Sequence, residues 1–233
     1  MLEKILRSGL AEMGIDCSDS AIAAFRRYYD ELTETSKVMN LTAISGEEDT
    51  ARLHFLDSAA PLARFDMSGK RVIDVGTGAG FPGLPMKLVC PGMELTLLDS
   101  LGKRVSFLQR VCDGLSLQSV ECVHARAEEC GERREKYDYA VSRAVARLNV
   151  LCELCLPYVK PGGAFLALKG PSLGEELCEA ERAIKLLGAQ LEDIVEYSVP
   201  GIELSHSYAV IRKISAAPKK YPRRFAQIKS APL

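Results

Sequence analysis

The stretch Val72-Ile73-Asp74-Val75-Gly76-Thr77-Gly78-Ala79-Gly80 decides the fold of this chain. Its first four residues form a short apolar run with one acid, which is typical of a buried strand. Its last five residues carry glycine at every second position, Gly76, Gly78 and Gly80, so no Cβ atom blocks the end of that strand. Because ligands bind at the carboxyl ends of the strands in open parallel sheets, we expect a nucleotide-like ligand at this turn.

Strands alternate with helices on the C-terminal side of the glycine stretch. Apolar runs predict six further strands, and helical patterns predict helices between and after them. The predicted strands cover residues 95–98, 120–124, 139–142, 164–168, 194–199 and 208–214, and the predicted helices cover residues 85–89, 103–112, 148–158 and 175–187. Such alternation indicates an α/β fold, in which helices cover both faces of a largely parallel sheet.

In the chain before the glycine stretch, apolar residues recur at the spacing of a helix. Residues 1–67 are predicted to be a helical extension, with a helix capped by Ser18 or Asp19 and a second helix over 49–60, and Ser68-Gly69 ends the pattern. We therefore divide the chain into the extension (1–67), a sheet domain (68–214) and a basic tail (215–233). The last segment, 213–233, has no acidic residue, and its prolines are expected to keep it irregular.

The composition limits the classes of protein that the chain can belong to. It has 233 residues, of which 47% are hydrophobic, so it can bury a core, and its net charge of −1 requires any nucleic-acid binding to come from local clusters of Lys and Arg. No run approaches the roughly 18 apolar residues of a membrane span, and charges at Glu3, Lys4 and Arg7 interrupt any signal core. We expect a cytoplasmic protein whose eight cysteines are free thiols, with Cys152 and Cys155 buried in a helix rather than holding zinc.

Two positions beyond the glycine turn extend the candidate site. Asp99 ends the second predicted strand, where its carboxylate can accept hydrogen bonds from both hydroxyls of a ribose, and a helix cap before Leu101 is compatible with that role. After the third strand, the Ala127 amide and the Glu128 region are placed to contact the edge of an adenine ring.

The spacing of the glycines bears on which ligand binds. A dinucleotide site favours GxGxxG, whereas this chain has GxGxG with Asp74 two residues before the first glycine. That carboxylate would repel a pyrophosphate but would favour the cationic amino-acid end of S-adenosylmethionine, directly or through water. We therefore predict S-adenosylmethionine as the cofactor, and a nicotinamide-dependent oxidoreductase remains the alternative enzyme.

The residues after the fourth strand indicate which atom is methylated. The D/N-P-P-Y/F tetrapeptide of amine methyltransferases is replaced by residues 142–146, Ser-Arg-Ala-Val-Ala, and the chain has no Pro-Cys pair for attack on a pyrimidine. Guanine N7 already carries an exposed lone pair, so an enzyme need only align it and exclude water.

Several motifs in order resemble one known family. They are Asn40-Leu41-Thr42, His54-Phe55-Leu56-Asp57-Ser58, Asp74 to Leu84, Leu98 to Val105 with Phe107-Leu108, Ser142-Arg143-Ala144 and Lys169-Gly170. From about Asn40 to its end the chain is similar to the glucose-inhibited division protein B family, also called RsmG, of bacterial 16S ribosomal RNA guanine-N7 methyltransferases.

The resemblance carries expectations of its own. It implies a class I, Rossmann-like methyltransferase sheet of seven strands with a helical N-terminal extension, and methylation of a guanine in 16S rRNA. It also implies cofactor contacts at Gly76, Phe81, Ala127, Glu128 and Arg143. Tyr221-Pro222-Arg223-Arg224 resembles the family's basic terminus, whereas Phe225-Ala226-Gln227-Ile228 departs from its Gly- and Pro-containing stretch.

Arg143 is the candidate catalytic residue, because behind the fourth strand it faces the crevice and can pair with the cofactor carboxylate or an RNA phosphate. The alternative is a surface ion pair with Glu128 or Glu129, and His54 is interpreted as a packing or capping residue. Other cations are candidate phosphate contacts: Lys103, Arg104, Arg126, Arg147, Lys169, Lys213, Lys219, Lys220, Arg223, Arg224 and Lys229.

The hypothesis from sequence is an S-adenosylmethionine-dependent enzyme that acts on rRNA or the small ribosomal subunit, without a metal or a covalent intermediate. Nothing in the sequence demands more than a monomer. An RNA-binding assembly protein with a vestigial cofactor pocket remains the alternative outside the enzymes.

Overall fold

A computed structural model describes residues 1–143, 146–170 and 173–233. Within them, seven strands form one sheet in the order β3-β2-β1-β4-β5-β7-β6. The strands are β1 (Arg71–Val75), β2 (Glu94–Asp99), β3 (Val120–His124), β4 (Tyr137–Arg143), β5 (Val159–Lys169), β6 (Ala189–Ser198) and β7 (Ser205–Lys213). Neighbouring strands among β1 to β5 are parallel, and β7 is antiparallel to both β5 and β6. The predicted seven-stranded, mostly parallel sheet is confirmed.

The order of the strands places a crevice at the carboxyl edge of the sheet. The chain runs outward from β1 through β2 to β3 and then returns to the other side of β1 with β4. A parallel sheet whose strand order reverses in this way leaves a gap between the connections that leave β1 and β4. The glycine stretch follows β1 directly, and Arg143 is the last residue of β4. Ala144 of the Ser-Arg-Ala match lies outside the described residues.

Helices cover both faces of the sheet. One face carries α5 (Gly83–Val89) and α6 (Gly102–Gly114), and the other carries α7 (Leu148–Cys155), α8 (Leu173–Leu186) and α9 (Phe225–Ser230). Cys152 and Cys155 are fully buried on α7, where burial raises the pKa of both thiols. These two cysteines are packing residues, as the sequence predicts.

The N-terminal extension packs on the face that carries α5 and α6. It contains α1 (Leu2–Glu12), α2 (Asp19–Ser36), α3 (Glu47–Asp49), a π-helical segment (Thr50–Leu56), α4 (Asp57–Ala59) and a 3-10 turn (Ala60–Ala63). The hydroxyl of Ser18 accepts a hydrogen bond from the Ala21 amide and so caps α2. Phe25 and Phe55 belong to the same apolar cluster as Leu84 and Leu97 of the sheet domain, so the extension and the sheet share one core.

Four elements differ most from the sequence prediction, and one of them is β5, which begins at Val159 instead of residue 164. The strand predicted over 194–199 begins at Ala189. The prediction missed its first half because residues 190–193 are mainly polar, with residues 190–192 exposed, and form no apolar run. The helix predicted over 49–60 extends over residues 47–63 and contains the π-helical segment. The tail is not irregular throughout, because it forms α9, whose Ile228 is fully buried.

In the described parts of the chain, each helix is too short or too polar to cross a membrane.

Candidate functional site

The glycine stretch forms a tight loop tied to the end of β2. The amides of Gly76 and Thr77 both donate to the Leu98 carbonyl, at 2.9 and 3.1 Å. Gly76 and Gly78 have φ values of 73° and 61°, a left-handed conformation that glycine adopts without strain. The Gly78 amide donates to Asp99 Oδ2 at 2.9 Å, which fixes the loop over the second strand.

Asp74 lies beneath this loop and not in the crevice. Its side chain is fully buried, and Oδ2 accepts hydrogen bonds from the Thr77 hydroxyl at 2.6 Å and the Gly83 amide at 2.8 Å. Burial raises the pKa of Asp74 to about 7. The Asp74 carboxylate therefore holds the loop from behind, and its expected contact with the cofactor's amino-acid end, directly or through water, stays a prediction.

Asp99 fixes the turn that leads into α6 and forms part of the wall of the crevice. Its Oδ1 accepts from the Leu101 amide at 2.9 Å, and its Oδ2 accepts from Gly78 and lies 3.7 Å from the Arg104 guanidinium. A carboxylate has about four acceptor positions, so a ribose hydroxyl can still be accommodated. The helix-cap interpretation is corrected, because Asp99 binds the residue before α6 and α6 has no side-chain cap, and the ribose contact stays a prediction.

Two adjoining cavities follow the carboxyl ends of β1, β2 and β3. The first, called the β2–β3 cavity, has a volume of about 160 Å³ and is lined by Val75, Gly76, Leu98, Asp99, Ser100, Ala125, Arg126, Ala127, Glu128, Leu154 and Phe225. The second, called the loop cavity, has a volume of about 390 Å³ and is lined by Leu41, Thr42, His54, Gly76, Thr77, Gly78, Ala79, Phe81, Asp99, Ser100, Arg104 and Arg143. The two share Gly76, Asp99 and Ser100, so they form one elongated crevice.

Seven of the eight predicted site residues line this crevice, and Gly80 is the exception. A Cβ atom on Gly78 would point into open space, with no heavy atom within 4 Å. A Cβ atom on Gly80 would instead meet Leu84 Cδ1 at 2.6 Å and the Tyr28 hydroxyl at 2.7 Å. Gly80 therefore lets the loop pack against α2 and α5, and its predicted contact with the cofactor stays a prediction.

A third cavity, called the Arg143 cavity, lies beside the loop cavity and shares His54 and Arg143 with it. Its volume is about 370 Å³, and it lies at the ends of β4, β5, β6 and β7. Its lining comprises Ile44, Leu53, His54, Asp57, Arg143, Leu168, Lys169, Gly170, Tyr197 and His206.

Arg143 separates the loop cavity from the Arg143 cavity. Its Nη1 donates to the Leu53 carbonyl at 3.0 Å and to Asp57 Oδ2 at 2.7 Å, while its Nη2 lies 2.9 Å from His54 Nδ1. The guanidinium carbon lies 5.0 Å from the centroid of the Phe81 ring. The ion pair of Arg143 is thus made with Asp57 of the extension, and not with Glu128 or Glu129.

His54 is held as a neutral ring between Arg143 and Thr42. Since Arg143 Nη2 can only donate, His54 Nδ1 accepts, and His54 Nε2 then donates to the Thr42 hydroxyl at 2.6 Å. Burial, with the Arg143 charge in addition, lowers the pKa of His54 to about 4. The ring also stacks on Phe81, with centroids 4.3 Å apart. His54 is a packing residue between extension and sheet, as the sequence suggests.

Asp57 joins the extension to the far end of the sheet. Its Oδ1 accepts from the Tyr197 hydroxyl at 2.7 Å and lies 2.8 Å from His206 Nδ1. Burial alone would raise the pKa of Asp57, but the hydrogen bonds from His206, Tyr197 and Arg143 and the Arg143 charge hold it below its usual value. The hydrogen bond to Asp57 raises the pKa of His206. Sequence reasoning missed Tyr197 and His206, because nothing near them in the chain marks them as partners of Asp57.

The candidate phosphate contacts separate into buried and exposed groups. Lys213 is fully buried and donates to the Leu156 and Leu187 carbonyls, Lys169 pairs with Glu176, and Arg223 pairs with buried Glu153. These three cations are corrected from phosphate contacts to structural groups, because their charges are already used inside the protein. The exposed candidates are Lys103, Arg126, Arg147, Lys219, Lys220, Arg224 and Lys229, and Arg104 is half-buried at the loop cavity.

S-adenosylmethionine fits the crevice formed by the first two cavities. The open space at Gly78 has room for a methionine chain. The β2–β3 cavity has apolar walls that suit an adenine ring, and Asp99 can accept hydrogen bonds from a ribose. Among the residues that the structure describes, no cluster of three or more His, Cys, Asp or Glu side chains offers a metal site.

Known proteins resemble the chain both in sequence and in fold. The family model "GidB: rRNA small subunit methyltransferase G" matches residues 21–204. A protein of Alkaliphilus oremlandii named "Ribosomal RNA small subunit methyltransferase G" is 48% identical over 236 residues, covering 100% of this chain and 99% of its own length. A protein of the same name from Lactobacillus johnsonii is 43% identical and covers 100% of both chains.

Solved structures share the fold at low identity. A SAM-dependent methyltransferase from Aquifex aeolicus has a TM-score of 0.55 at 17% identity, covering 70% of this chain and 92% of that one. TYW2 of M. jannaschii, in complex with AdoMet, has a TM-score of 0.53 at 14% identity, covering 69% of this chain and 76% of that one. Sheet order, crevice and full-length similarity agree, and the chain belongs to the rRNA small subunit methyltransferase G family.

Proposed function

We propose that this chain transfers a methyl group from S-adenosylmethionine to N7 of a guanine in 16S ribosomal RNA. The observation that carries the proposal is similarity over the whole chain to proteins named for this rRNA methyltransferase. The crevice adds a site of the right chemistry at the carboxyl edge of the sheet. The alternative hypothesis of a nicotinamide-dependent oxidoreductase is dropped, because the chain belongs to a methyltransferase family.

The cofactor's parts are assigned to the residues that line the crevice. Ala127 and Glu128 would contact the adenine in the β2–β3 cavity, and Asp99 would accept hydrogen bonds from the ribose. Gly76, Gly78 and Phe81 would hold the methionine part in the loop cavity, towards Arg143. The cofactor supplies an electrophilic methyl group on a positively charged sulfur.

The Arg143 cavity is the proposed place for the guanine. It adjoins the loop cavity at His54 and Arg143, so a base within it lies next to the methionine end of the crevice. The Arg143 guanidinium and the His206 ring provide polar groups at its wall, and Leu53 and Leu168 provide apolar surface for a flat ring.

The charges around Arg143 suit methylation at N7. Asp57 pairs with Arg143 at 2.7 Å, so the site does not present an unbalanced positive charge to a cationic methyl donor. His54 is neutral near pH 7 because its pKa is about 4. Guanine N7 has no proton to lose, so these residues need only orient the base, exclude water and leave the N7 lone pair free to attack.

The proposal includes a monomer that works in the cytoplasm. Small-subunit rRNA lies there, and the eight cysteines of this chain are free thiols, as expected in a reducing compartment. The three cavities are complete within one chain. Sedimentation of the purified protein at micromolar concentration should give one species of about 25.5 kDa.

The decisive experiment offers labelled S-adenosylmethionine and 16S rRNA from cells lacking this enzyme, either naked or within intact small subunits. We expect label at a guanine N7, and the better substrate will show when the enzyme acts. Binding of the cofactor without label in any RNA would overturn the proposed reaction and favour a non-catalytic assembly protein.

A further inference from the structure

The C-terminal tail packs against the helices beside the β2–β3 cavity. Arg223 is fixed to Glu153 of α7, a fully buried carboxylate, through its backbone amide at 2.8 Å and its guanidinium at 2.8 and 2.6 Å. The guanidinium of Arg134 donates to the carbonyls of Ala217, Pro218 and Tyr221. The tail is thus anchored at both ends of the segment that leads into α9.

The anchored tail presents one aromatic side chain to the cavity. Ile228 of α9 is fully buried in the core, whereas Phe225 at the start of the same helix is 36% exposed and lines the β2–β3 cavity with Leu154. The ion pair between Arg223 and Glu153 fixes the backbone two residues before Phe225, while part of the Phe225 ring faces the cavity without a packing partner among the described residues. Phe225 therefore has room for a further apolar partner.

We propose that Phe225 is a cofactor-binding residue, which packs against the adenine and forms the tail's contribution to the β2–β3 cavity. This inference rests on the proposed function, which places the adenine between the strand ends and Ala127. An adenine ring is flat and apolar on both faces, so an aromatic side chain at the open wall adds stacking that the strand ends cannot supply. Glu153 and Arg223 are positioning residues, because they hold the segment that carries Phe225.

The test compares the binding of three ligands by calorimetry to the full-length protein and its Phe225→Ala variant. The ligands are S-adenosylmethionine, S-adenosylhomocysteine and 5′-methylthioadenosine, which share the adenosine but differ in the amino-acid part. We expect the Kd of all three to rise by the same factor, about tenfold, because each loses the same contact. Phe225→Tyr should keep Kd near that of the unchanged protein, since its ring remains.

Gln227→Ala is the matched control, because Gln227 is exposed on the same helix and does not line the cavity. It should bind all three ligands as tightly as the unchanged protein, and circular dichroism should show that every variant is folded. If Phe225→Ala binds the three ligands normally, or loses only those with an amino-acid part, the inference is wrong while the proposed function stands. If the unchanged protein binds none of the three, the proposed function fails and the inference with it.

Discussion

At the scale of single residues, chemistry can be predicted where the reason is local. The positions of Gly78 and Asp99 in the crevice follow from glycine at the end of one strand and an acid at the end of the next. Asp57 is different, because its partner His206 lies 149 residues further along the chain and no local pattern connects them. For the same reason the sequence placed Arg143 at the crevice but gave no sign of its ion pair with Asp57.

Gly78 offers a direct test of the loop cavity. A Val side chain there would enter open space in the crevice, so we expect Gly78→Val to abolish binding of S-adenosylmethionine. Because φ is 61°, the variant should also lose about 1 kcal/mol of stability. Gly69→Val is the control, since Gly69 has φ of 67° and open space too but precedes β1 at the opposite edge of the sheet. Normal calorimetric binding by a folded Gly78→Val protein would contradict this placement of the cofactor.

His54 makes stability depend on pH in a predictable direction. The unfolded chain binds a proton at His54 near pH 6.5, but the folded chain does so only near pH 4, so stability is lost as the pH falls through this range. We expect this group to remove about 2 kcal/mol of the free energy of unfolding between pH 7 and pH 5. Urea unfolding of the unchanged protein and of His54→Gln at both pH values checks this. An equal pH dependence in the two proteins would contradict the prediction.

At the scale of elements, strands that form apolar runs were predictable from the sequence, and elements stabilised by distant contacts were not. β1 and β2 are buried and match their predictions within a residue or two. The first half of β6 is polar and exposed, and it forms a strand because β7 supplies hydrogen bonds. The helix α9 follows two tail prolines, Pro218 and Pro222, and depends on its anchoring through Arg223, so its short sequence carries little signal.

The helical segment 47–63 should depend strongly on Asp57. Asp57→Asn removes the charge that pairs with Arg143 inside the protein, so we expect the free energy of unfolding to fall by about 3 kcal/mol. Asp193→Asn is the control, because its ion pair with Arg64 lies at the surface and its loss should make no measurable difference. Urea titrations measure both. Equal effects of the two substitutions would show that the Asp57 network does not hold the extension on the sheet.

At the scale of the whole molecule, a net charge of −1 means that the protein must attract RNA through a local surface. Lys103 and Arg126 are exposed and follow the strand ends that form the crevice. We expect the double variant Lys103→Ala, Arg126→Ala to bind rRNA more weakly and to lower the slope of log affinity against log salt by about 2. Filter binding at several salt concentrations measures this. Lys160→Ala, at the opposite edge of the sheet, should leave the slope unchanged, and an equal effect there would contradict the assignment.

The contacts of Asp57 join residues that lie far apart in the sequence, and this separation affects the order of events during folding. Asp57 meets Tyr197 and His206 across 140 and 149 residues, and Arg64 meets Asp193 across 129. The glycine turn meets Asp99 across only 21. Closing a long loop costs more entropy than closing a short one, so distant contacts form later. In pulsed hydrogen exchange during refolding, we therefore expect amides of β1 and β2 to become protected before those of Thr50–Leu56. The cofactor half of the site would then assemble first, and the half that receives the base would assemble last.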